Sequence, residues 1–364
     1  MTEKETINTK DYPIVISSEI GKDIDKFIQG KNYSFIYLLM DENIMESCWP
    51  ILSKNSEEIK NAEILLVEPG EAQKDIEIAI QLWHSLTEYE ADKSSLMINF
   101  GGGVITDLGG FIASTYKRGI DFINIPTSLL AIVDASVGGK TGINLRGYKN
   151  QIGVFAQAQA VFIQTDFIKS LKQRHLINGY AEMMKHGLIA DSNHWNELLK
   201  IDTIGADSIA PNIRRSIEIK SNIVEQDPLE KSTRKSLNFG HTIGHIIEAW
   251  SLQNDSNPLL HGEAVAIGII IESYLSTKKT HLSISEFEII KQQIDKHFSA
   301  YCISNDLLLH FEEILNQDKK KSGNEFNFTF VAKIGKFVIN QSCSIEDIKD
   351  ALIYYKENYP CHTL

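Results

Sequence analysis

Residues Ser95–Asp107, with the sequence SLMINFGGGVITD, contain the pattern that decides the fold class of this chain. An apolar run of strand length leads into three consecutive glycines, and a helical pattern follows them. Glycines at such a turn let the backbone approach a pyrophosphate, whose charge favours the amide-rich start of a helix. The spacing departs from G-x-G-x-x-G, so the usual dinucleotide fingerprint is not met. The stretch predicts a strand–turn–helix unit.

The same alternation of strands and helices extends to both sides of this unit. Further strands are predicted at Ser34–Met40, Glu63–Val67 and Phe122–Ile125, and a helix is predicted between Lys74 and Tyr89. Strands that alternate with helices are typical of a mostly parallel sheet covered on both faces. We therefore expect an α/β domain over residues 1–167.

From about residue 168 the pattern changes to long helical stretches. These are Phe167–Ile189, Ile209–Val224, Thr242–Trp250, Gly262–Lys278, Ile284–His297 and Asp306–Leu315. A late hairpin is predicted from Phe326–Val331 and Lys336–Ile339, with its turn at Ala332–Gly335. We expect a second, mainly helical domain over residues 168–364.

The composition is that of an ordinary globular protein. Of the 364 residues, 43% are hydrophobic and 23% charged, and the net charge of −12 argues against a nucleic-acid surface. No apolar run reaches the roughly 20 residues that span a bilayer, and the N-terminal segment lacks the pattern of a secretory signal. We expect a cytoplasmic protein that binds neither nucleic acid nor membrane.

The four cysteines are far apart in the sequence and include no CxxC pair. They are Cys48, Cys302, Cys343 and Cys361. This spacing favours isolated thiols over a disulfide framework or a cysteine zinc site.

Three histidines and a glutamate in the helical half form a candidate metal site. His241 and His245 are four residues apart and share one face of a helix. His261 begins another helical run, and Glu182 is a carboxylate inside an otherwise apolar helix. Two histidines and one carboxylate with an open position are typical of a catalytic zinc ion.

A second glycine cluster surrounds Lys140 in the stretch Val137–Gly142. It lacks the G-x-x-x-x-G-K-[ST] spacing, which excludes a nucleotide triphosphatase of the P-loop type. A lysine between glycines can still reach an anionic ligand.

Six stretches resemble the signature blocks of the 3-dehydroquinate synthases, in the same order along the chain. They are GGGVITDLGGFIASTYKRG, IPTSLLAIVDASVGGKTGIN, KNQIG, GYAEMMKHG, RKSLNFGHTIGH and HGEAVAIG. The resemblance runs from about Asp41 to Gly335. It implies a Rossmann-like N-terminal domain, a helical C-terminal domain, the cofactors NAD and Zn²⁺ (or Co²⁺), a sugar phosphate substrate and a homodimer. The implied reaction converts 3-deoxy-D-arabino-heptulosonate 7-phosphate into 3-dehydroquinate and phosphate.

The resemblance also assigns site residues, position by position. The implied metal ligands are Glu182, His241 and His261. The implied NAD-binding residues are Asp41, Glu71, Lys74, Gly102, Gly103, Val104, Asp107, Thr127, Ser128 and Lys149. The implied substrate-binding and catalytic residues are Arg118, Asp134, Lys140, Asn150, Lys185, Lys220, Glu230, Arg234, Asn238, His245 and one late lysine, Lys320 in preference to Lys319. Of these, His245 and Glu230 are the candidates for proton transfer.

Three other functions remain as alternatives. A sister cyclase would make a valiolone or an inosose, a glycerol-dehydrogenase-like oxidoreductase would use a similar architecture, and an inactive relative would only bind metal. Arg234 and Asn238 favour a 3-dehydroquinate synthase over a sister cyclase. Related cyclases tend to differ at these two positions, where the substrate carboxylate is recognised. The six basic residues expected around the substrate fit its carboxylate and phosphate, and a glycerol dehydrogenase does not need them.

Overall fold

A computed structural model describes residues 4–145, 148–318 and 325–361. The elements of the first half are strands β1 (Glu5–Asn8), β2 (Pro13–Ile16), β3 (Ile36–Asp41), β4 (Glu63–Val67), β5 (Leu96–Gly101), β6 (Asp121–Pro126), β7 (Lys140–Leu145), β8 (Tyr148–Phe155) and β9 (Val161–Ile163), and helices α1 (Ile20–Gln29), α2 (Glu42–Ser47), α3 (Trp49–Leu52), α4 (Glu57–Lys60), α5 (Ile76–Glu88) and α6 (Gly103–Thr115).

The second half is mainly helical, as the sequence predicts. Its elements are α7 (Gln173–Ala190), α8 (Ser192–Leu199), α9 (Ala206–Gln226), α10 (His241–Asn254), α11 (His261–Lys279), α12 (Ile284–His297), α13 (Asn305–Asp318), the strands β10 (Glu325–Lys333) and β11 (Lys336–Ser344), and α14 (Ile345–Asn358). The expected change of fold class along the chain is therefore confirmed, although α8 and α14 were not predicted.

The described part of the first half forms a sheet of seven strands in the order β1-β2-β9-β6-β5-β3-β4. In this sheet only the pair β1–β2 is antiparallel, and all other neighbouring strands are parallel. Every residue of β5 is buried, which is why this strand reads as one continuous apolar run. A separate antiparallel pair, β7 and β8, contains Lys140, Lys149 and Asn150.

The chain divides into two compact units. The first comprises Met1–Leu176, Gly205–Ile213 and Lys220–Glu225, and the second comprises Ile177–Ile204, Arg214–Ile219 and Gln226–Leu364, within the described ranges. In the second unit α11 is buried over most of its surface, from Gly262 to Ser276. A helix that is buried on most of its faces occupies the middle of a core, and α11 has that role here.

One expectation about the cysteines is wrong. Cys302 and Cys361 form a disulfide with a Cα–Cα distance of 4.9 Å across 59 residues of sequence. Their spacing could not indicate this, because the contact depends on how the C-terminal segment returns past the start of α13. Cys48 and Cys343 are buried thiols, as expected.

Among the residues described, no helix combines the length and the apolar character needed to cross a membrane.

The burial of His194 predicts that the stability of the second unit falls in acid. Its side chain is buried near the start of α8, and neither ring nitrogen has a hydrogen-bond partner among the described residues. Burial, with the charge of Arg215, lowers the pKa of His194 from 6.5 to about 4, although Asp191 opposes the shift. The unfolded chain therefore binds this proton first as the pH falls.

We expect the contribution of His194 to stability to be complete above pH 6.5 and to be lost between pH 6.5 and about 4. The loss between pH 7.5 and pH 5 amounts to about 2 kcal/mol. Urea unfolding at both pH values, for the wild type and His194→Phe, measures it. The measured quantity is the difference in unfolding free energy between the two pH values within each protein. A packing defect caused by the phenyl ring lowers both values equally and therefore cancels. Equal pH dependence in the two proteins would contradict the prediction.

Candidate functional site

A buried cluster in the second unit brings together one carboxylate and two imidazoles. Glu182 lies in α7, and His241 and His261 are the first residues of α10 and α11. Glu182 Oε1 lies 3.5 Å from His241 Nε2 and 3.6 Å from His261 Nε2. One donor atom from each side chain lies within 4.8 Å of the other two. The three expected metal ligands therefore converge on one point.

The donor atoms of this cluster fit a divalent cation. Two ligands about 2.0–2.1 Å from a tetrahedral zinc ion lie about 3.3 Å apart, close to the observed distances. The same distances are too long for good hydrogen bonds, and Glu182 Oε1 has no hydrogen-bond partner in the described part of the chain. Because Glu182 is fully buried, a carboxylate oxygen without a donor is costly there, and a cation would satisfy it.

The charges around the cluster keep Glu182 ionised. Burial raises its pKa, but Lys185, His241 and His261 outweigh burial and hold the pKa well below 4.5. Lys185, one turn further along α7, forms a buried ion pair with Glu182. Burial and the charge of Lys185 hold the pKa of His241 well below 6.5. An ionised carboxylate and a neutral imidazole are the states that metal binding requires.

His261 differs from His241 because it faces two carboxylates. Burial lowers the pKa of His261, but Glu248 and Glu182 outweigh burial and raise it to about 10. In the absence of a cation the ring therefore holds a proton that a metal ion has to displace. The affinity for metal should fall as the pH is lowered.

The starts of α10 and α11 are held close together by backbone contacts. Gly240, with φ +79°, precedes α10, and its N–H donates to Glu272 Oε2 at 2.7 Å. The N–H of Ile243 donates to Glu272 Oε1 at 2.9 Å, so one buried carboxylate of α11 caps α10. A Cβ on Gly268 would lie 1.9 Å from the oxygen of Gly240. Only a glycine at position 268 permits this approach.

His245 lies beside the cluster without belonging to the first set of ligands. Its ring centroid is 5.5 Å from that of His241 and 6.0 Å from that of His261. Donor atoms of His245, Glu248 and His261 form a second group within 4.8 Å. The structure therefore brings a third imidazole to the same place, where it can exchange protons with a bound molecule.

A structured loop in the second unit carries three of the expected substrate residues. The carboxylate of Asp227 accepts the N–H groups of Lys231, Ser232 and Arg234 at 2.9, 2.6 and 3.1 Å. Within this loop Asn238 Nδ2 donates to Glu230 Oε1 at 2.7 Å. Arg234 is buried and donates to the carbonyl of Pro228 at 2.7 Å. Asp227 thereby fixes the backbone that presents Glu230, Arg234 and Asn238.

The carboxyl ends of three neighbouring parallel strands hold most of the expected NAD-binding residues. Asp41 ends β3, Gly102 and Gly103 follow β5 at the start of α6, and Thr127 and Ser128 follow β6. In open parallel sheets this edge is where dinucleotides bind, with the pyrophosphate at a helix N-terminus. Val104 and Asp107 lie in the first turns of α6.

A polar network in the first unit joins residues from four separate motifs. Lys74 Nζ donates to Asp107 Oδ2 at 2.6 Å and also contacts Asn150 Oδ1. Asn144 Nδ2 donates to Glu71 Oε1 at 2.9 Å, and the N–H of Asn150 donates to Asn144 Oδ1 at 3.0 Å. The structure thus gathers Glu71, Lys74, Asp107 and Asn150 around Asn144.

The other expected residues occupy several different elements, and two lysines lie outside the described residues. Asp134, in a π-helical turn, accepts a 2.7 Å hydrogen bond from Lys220 Nζ. Lys140 opens β7 and is exposed, and Lys149 lies on β8. Arg118 follows the far end of α6, about 20 Å along the helix axis from Gly103. Lys319 and Lys320 lie outside the described residues.

Backbone strain coincides with several expected site residues. Arg118, Asn150 and Glu230 have φ values of 70°, 54° and 57°. Residues other than glycine adopt such values at a cost, and these three are among the seven described non-glycine residues that do so.

Several residues that shape the site were missed by sequence reasoning. They are Asn144, Asp227, Glu248 and Glu272. Only Glu248 had a signal, because it lies three residues after His245 and seven after His241, on the same helix face. The other three act through contacts between segments that are distant in sequence.

Comparison with known proteins identifies the family. Residues 64–178 match the family model "3-dehydroquinate synthase N-terminal", and residues 179–321 match "3-dehydroquinate synthase C-terminal". The 3-dehydroquinate synthase of Parabacteroides distasonis is 40% identical over 351 residues, which are 95% of this chain and 98% of that protein. That of Ruminiclostridium cellulolyticum is 37% identical over 363 residues, covering 94% of this chain and 96% of that protein.

Solved structures share the fold at lower identity. A 2-deoxy-scyllo-inosose synthase complexed with carbaglucose-6-phosphate, NAD⁺ and Co²⁺ has a TM-score of 0.83 at 20% identity, covering 96% of this chain and 99% of that one. The 2-epi-5-epi-valiolone synthase of Streptomyces hygroscopicus subsp. jinggangensis, with NAD⁺ and Zn²⁺ bound, has a TM-score of 0.80 at 22% identity, covering 97% and 99%. Since both family models match and relatives of about 40% identity cover nearly the whole chain, it belongs to the 3-dehydroquinate synthase family of enzymes.

Proposed function

We propose that this protein is a 3-dehydroquinate synthase, which converts 3-deoxy-D-arabino-heptulosonate 7-phosphate into 3-dehydroquinate and phosphate in the shikimate pathway. The observation that carries the proposal is the convergence of Glu182, His241 and His261 on one point in a member of this family. Without a divalent cation at that point, the proposed reaction lacks the charge that stabilises developing oxyanions.

The protein would use Zn²⁺ or Co²⁺ together with NAD. When bound, the metal would supply a Lewis acid for the substrate hydroxyls, and NAD would supply a reversible hydride acceptor. Glu182, His241 and His261 would hold the metal. The metals and the NAD⁺ in the structures of two related cyclases support this choice.

Residues of the second unit would bind the substrate and move protons. Lys185 and Arg234 would neutralise its anionic groups, and Asn238 would donate a hydrogen bond to it. His245 and Glu230 would transfer protons, because imidazole and carboxylate groups can both accept and release a proton. His245 lies beside the metal cluster, and Glu230 lies in the loop with a strained backbone.

Residues of the first unit would bind NAD. The N–H groups at Gly102, Gly103 and Val104, at the start of α6, suit a pyrophosphate. Asp41 would accept hydrogen bonds from ribose hydroxyls, as an acidic residue at a strand end does in dinucleotide-binding sheets. The proposed NAD site is completed by Glu71, Lys74, Asp107, Thr127, Ser128 and Lys149.

Further residues are proposed to bind the substrate. They are Arg118, Asp134, Lys140, Asn150, Lys220 and Lys320.

The proposal is tested by turnover of metal-free protein. Purified protein is stripped with a chelator and then given NAD, Zn²⁺ or Co²⁺, and the heptulosonate phosphate, and both phosphate and dehydroquinate are measured. We expect equal amounts of the two products, dependent on the metal and on catalytic NAD. A protein fully loaded with metal and NAD that forms no dehydroquinate would remove the proposal.

The same assay separates the alternative cyclases. Sugar phosphates without a carboxylate should be poor substrates, because Arg234 would then lack its anionic partner. If such a substrate is turned over faster than the heptulosonate phosphate, the protein is a sister cyclase instead.

We also propose that the protein is a cytoplasmic homodimer, which the family resemblance supports. Sedimentation equilibrium should give twice the chain mass, and a value equal to one chain would exclude the dimer. Disulfides are rare in a reducing compartment such as the cytoplasm. A bond between Cys302 and Cys361 that persists in the cell would therefore argue against the cytoplasmic location.

A further inference from the structure

Glu248 is a buried carboxylate for which the proposed function has no role. It lies on α10, one turn after His245 and two turns after His241, and its side chain is only 4% exposed. Its Oε2 lies 3.2 Å from Nδ1 of His261, on the neighbouring helix α11. A buried carboxylate is costly unless it is paired, so its position requires a reason.

The contact between Glu248 and His261 decides how the imidazole faces the cluster. A hydrogen bond from Nδ1–H to an acceptor fixes both the ring orientation and the tautomer of a histidine. With Nδ1 directed at Glu248, Nε2 of His261 faces Glu182 Oε1 at 3.6 Å. Once a metal ion displaces the proton on Nε2, the lone pair needed for a metal bond is directed at the point where the three donor atoms converge.

His241 shows the same arrangement with a weaker acceptor. Its Nδ1 lies 3.2 Å from the carbonyl oxygen of Phe239, while its Nε2 faces Glu182 Oε1. Both rings therefore have Nδ1 on an acceptor and Nε2 toward the cluster. Only His261 has an acceptor with a full negative charge, which makes its Nε2 the more basic ligand atom.

We propose that Glu248 is a positioning residue for the metal, acting through His261. This inference rests on the proposed function, because it takes Glu182, His241 and His261 as the ligands. Glu248 itself touches neither the metal nor the substrate in this proposal. It raises metal affinity by holding His261 in the tautomer and orientation that the ion requires.

The test compares Co²⁺ binding in four proteins: the wild type, Glu248→Gln, Glu248→Ala and the exposed control Glu197→Gln. The apo proteins are titrated with Co²⁺ against a competing chelator, and the visible absorption of bound Co²⁺ reports the ligand geometry. We expect one equivalent of Co²⁺ throughout. Affinity should fall by about 10- to 100-fold in Glu248→Ala and by less in Glu248→Gln, whose amide oxygen can still accept the Nδ1 proton. Glu197→Gln should match the wild type.

A purely structural role would leave these readouts unchanged. Glu248 would then alter the melting temperature of the apo protein, but not the Co²⁺ affinity or spectrum of the folded fraction. Equal affinities in wild type, Glu248→Gln and Glu248→Ala would overturn the proposal. Two equivalents of Co²⁺ in the wild type and one in Glu248→Ala would also overturn it, because Glu248 would then be a ligand of a second ion with His245.

A measurement on the wild type avoids any folding defect of the variants. Nitrogen NMR of ¹⁵N-histidine-labelled, Zn²⁺-loaded protein should show His261 protonated at Nδ1 and coordinated through Nε2. Coordination through Nδ1 would overturn the proposal. A wild type that binds Co²⁺ as described but forms no dehydroquinate would remove the proposed function and leave the role of Glu248 standing.

Discussion

Replacing Glu182 by glutamine is expected to lower kcat/KM for dehydroquinate formation by more than about 100-fold. The loss of a residue that only hydrogen-bonds to a metal ligand costs up to about 100-fold, and the loss of a ligand itself should cost more. The amide keeps the shape of the side chain but removes the charge that faces His241 and His261 at 3.5 and 3.6 Å. Metal content after dialysis should fall together with activity. Normal activity and metal content in this variant would exclude Glu182 as a ligand.

The same substitution leaves the buried Lys185 without its partner. Removing one member of a buried ion pair costs about 3 kcal/mol of unfolding free energy. The double variant Glu182→Gln with Lys185→Met removes both charges. It should recover most of that stability but should not recover metal binding. Denaturant unfolding and metal analysis on the same samples therefore separate the fold from the site.

A matched control exists on the surface of the same unit. Glu197 forms an exposed ion pair with Lys200, also three residues apart, and its replacement by glutamine should change stability by less than about 0.5 kcal/mol. Activity should be unchanged in this control.

Replacing Gly268 by alanine is expected to destabilise the protein by about 3 kcal/mol and to weaken metal binding at the same time. The added Cβ would lie 1.9 Å from the oxygen of Gly240 and 2.8 Å from the nitrogen of Gly244. Both atoms belong to the backbone at the start of α10, so no side chain can rotate away. The helix has to retreat from α11, which moves His241 away from His261.

Gly30→Ala serves as the control, because its Cβ would meet nothing closer than 3.5 Å and its φ is −75°. Urea unfolding and the chelator titration with Co²⁺ measure the two effects of Gly268→Ala. A stable Gly268→Ala variant with unchanged Co²⁺ affinity would show that the close approach of α10 and α11 does not position the ligands.

Local pattern predicted much of the fold. The glycine-rich turn after a continuous apolar strand predicted β5 and α6, and β4 and α12 were predicted at their observed bounds. These elements could be predicted because strand and helix periods are properties of neighbouring residues. The resemblance of the six blocks predicted the family, because together they are far more specific than any single motif.

For the site, the sequence by itself determined the identity of the chemical groups: two histidines and a carboxylate for a metal, and glycines at a helix start. Only the tertiary structure decided that Glu182 Oε1 faces both imidazoles, that Glu248 lies on the far nitrogen of His261, and that Glu272 caps α10. It also decided the pairing of Cys302 with Cys361. The physical reason is the same in each case: these contacts join residues on different elements, and their distances depend on how the elements pack, which no local period records.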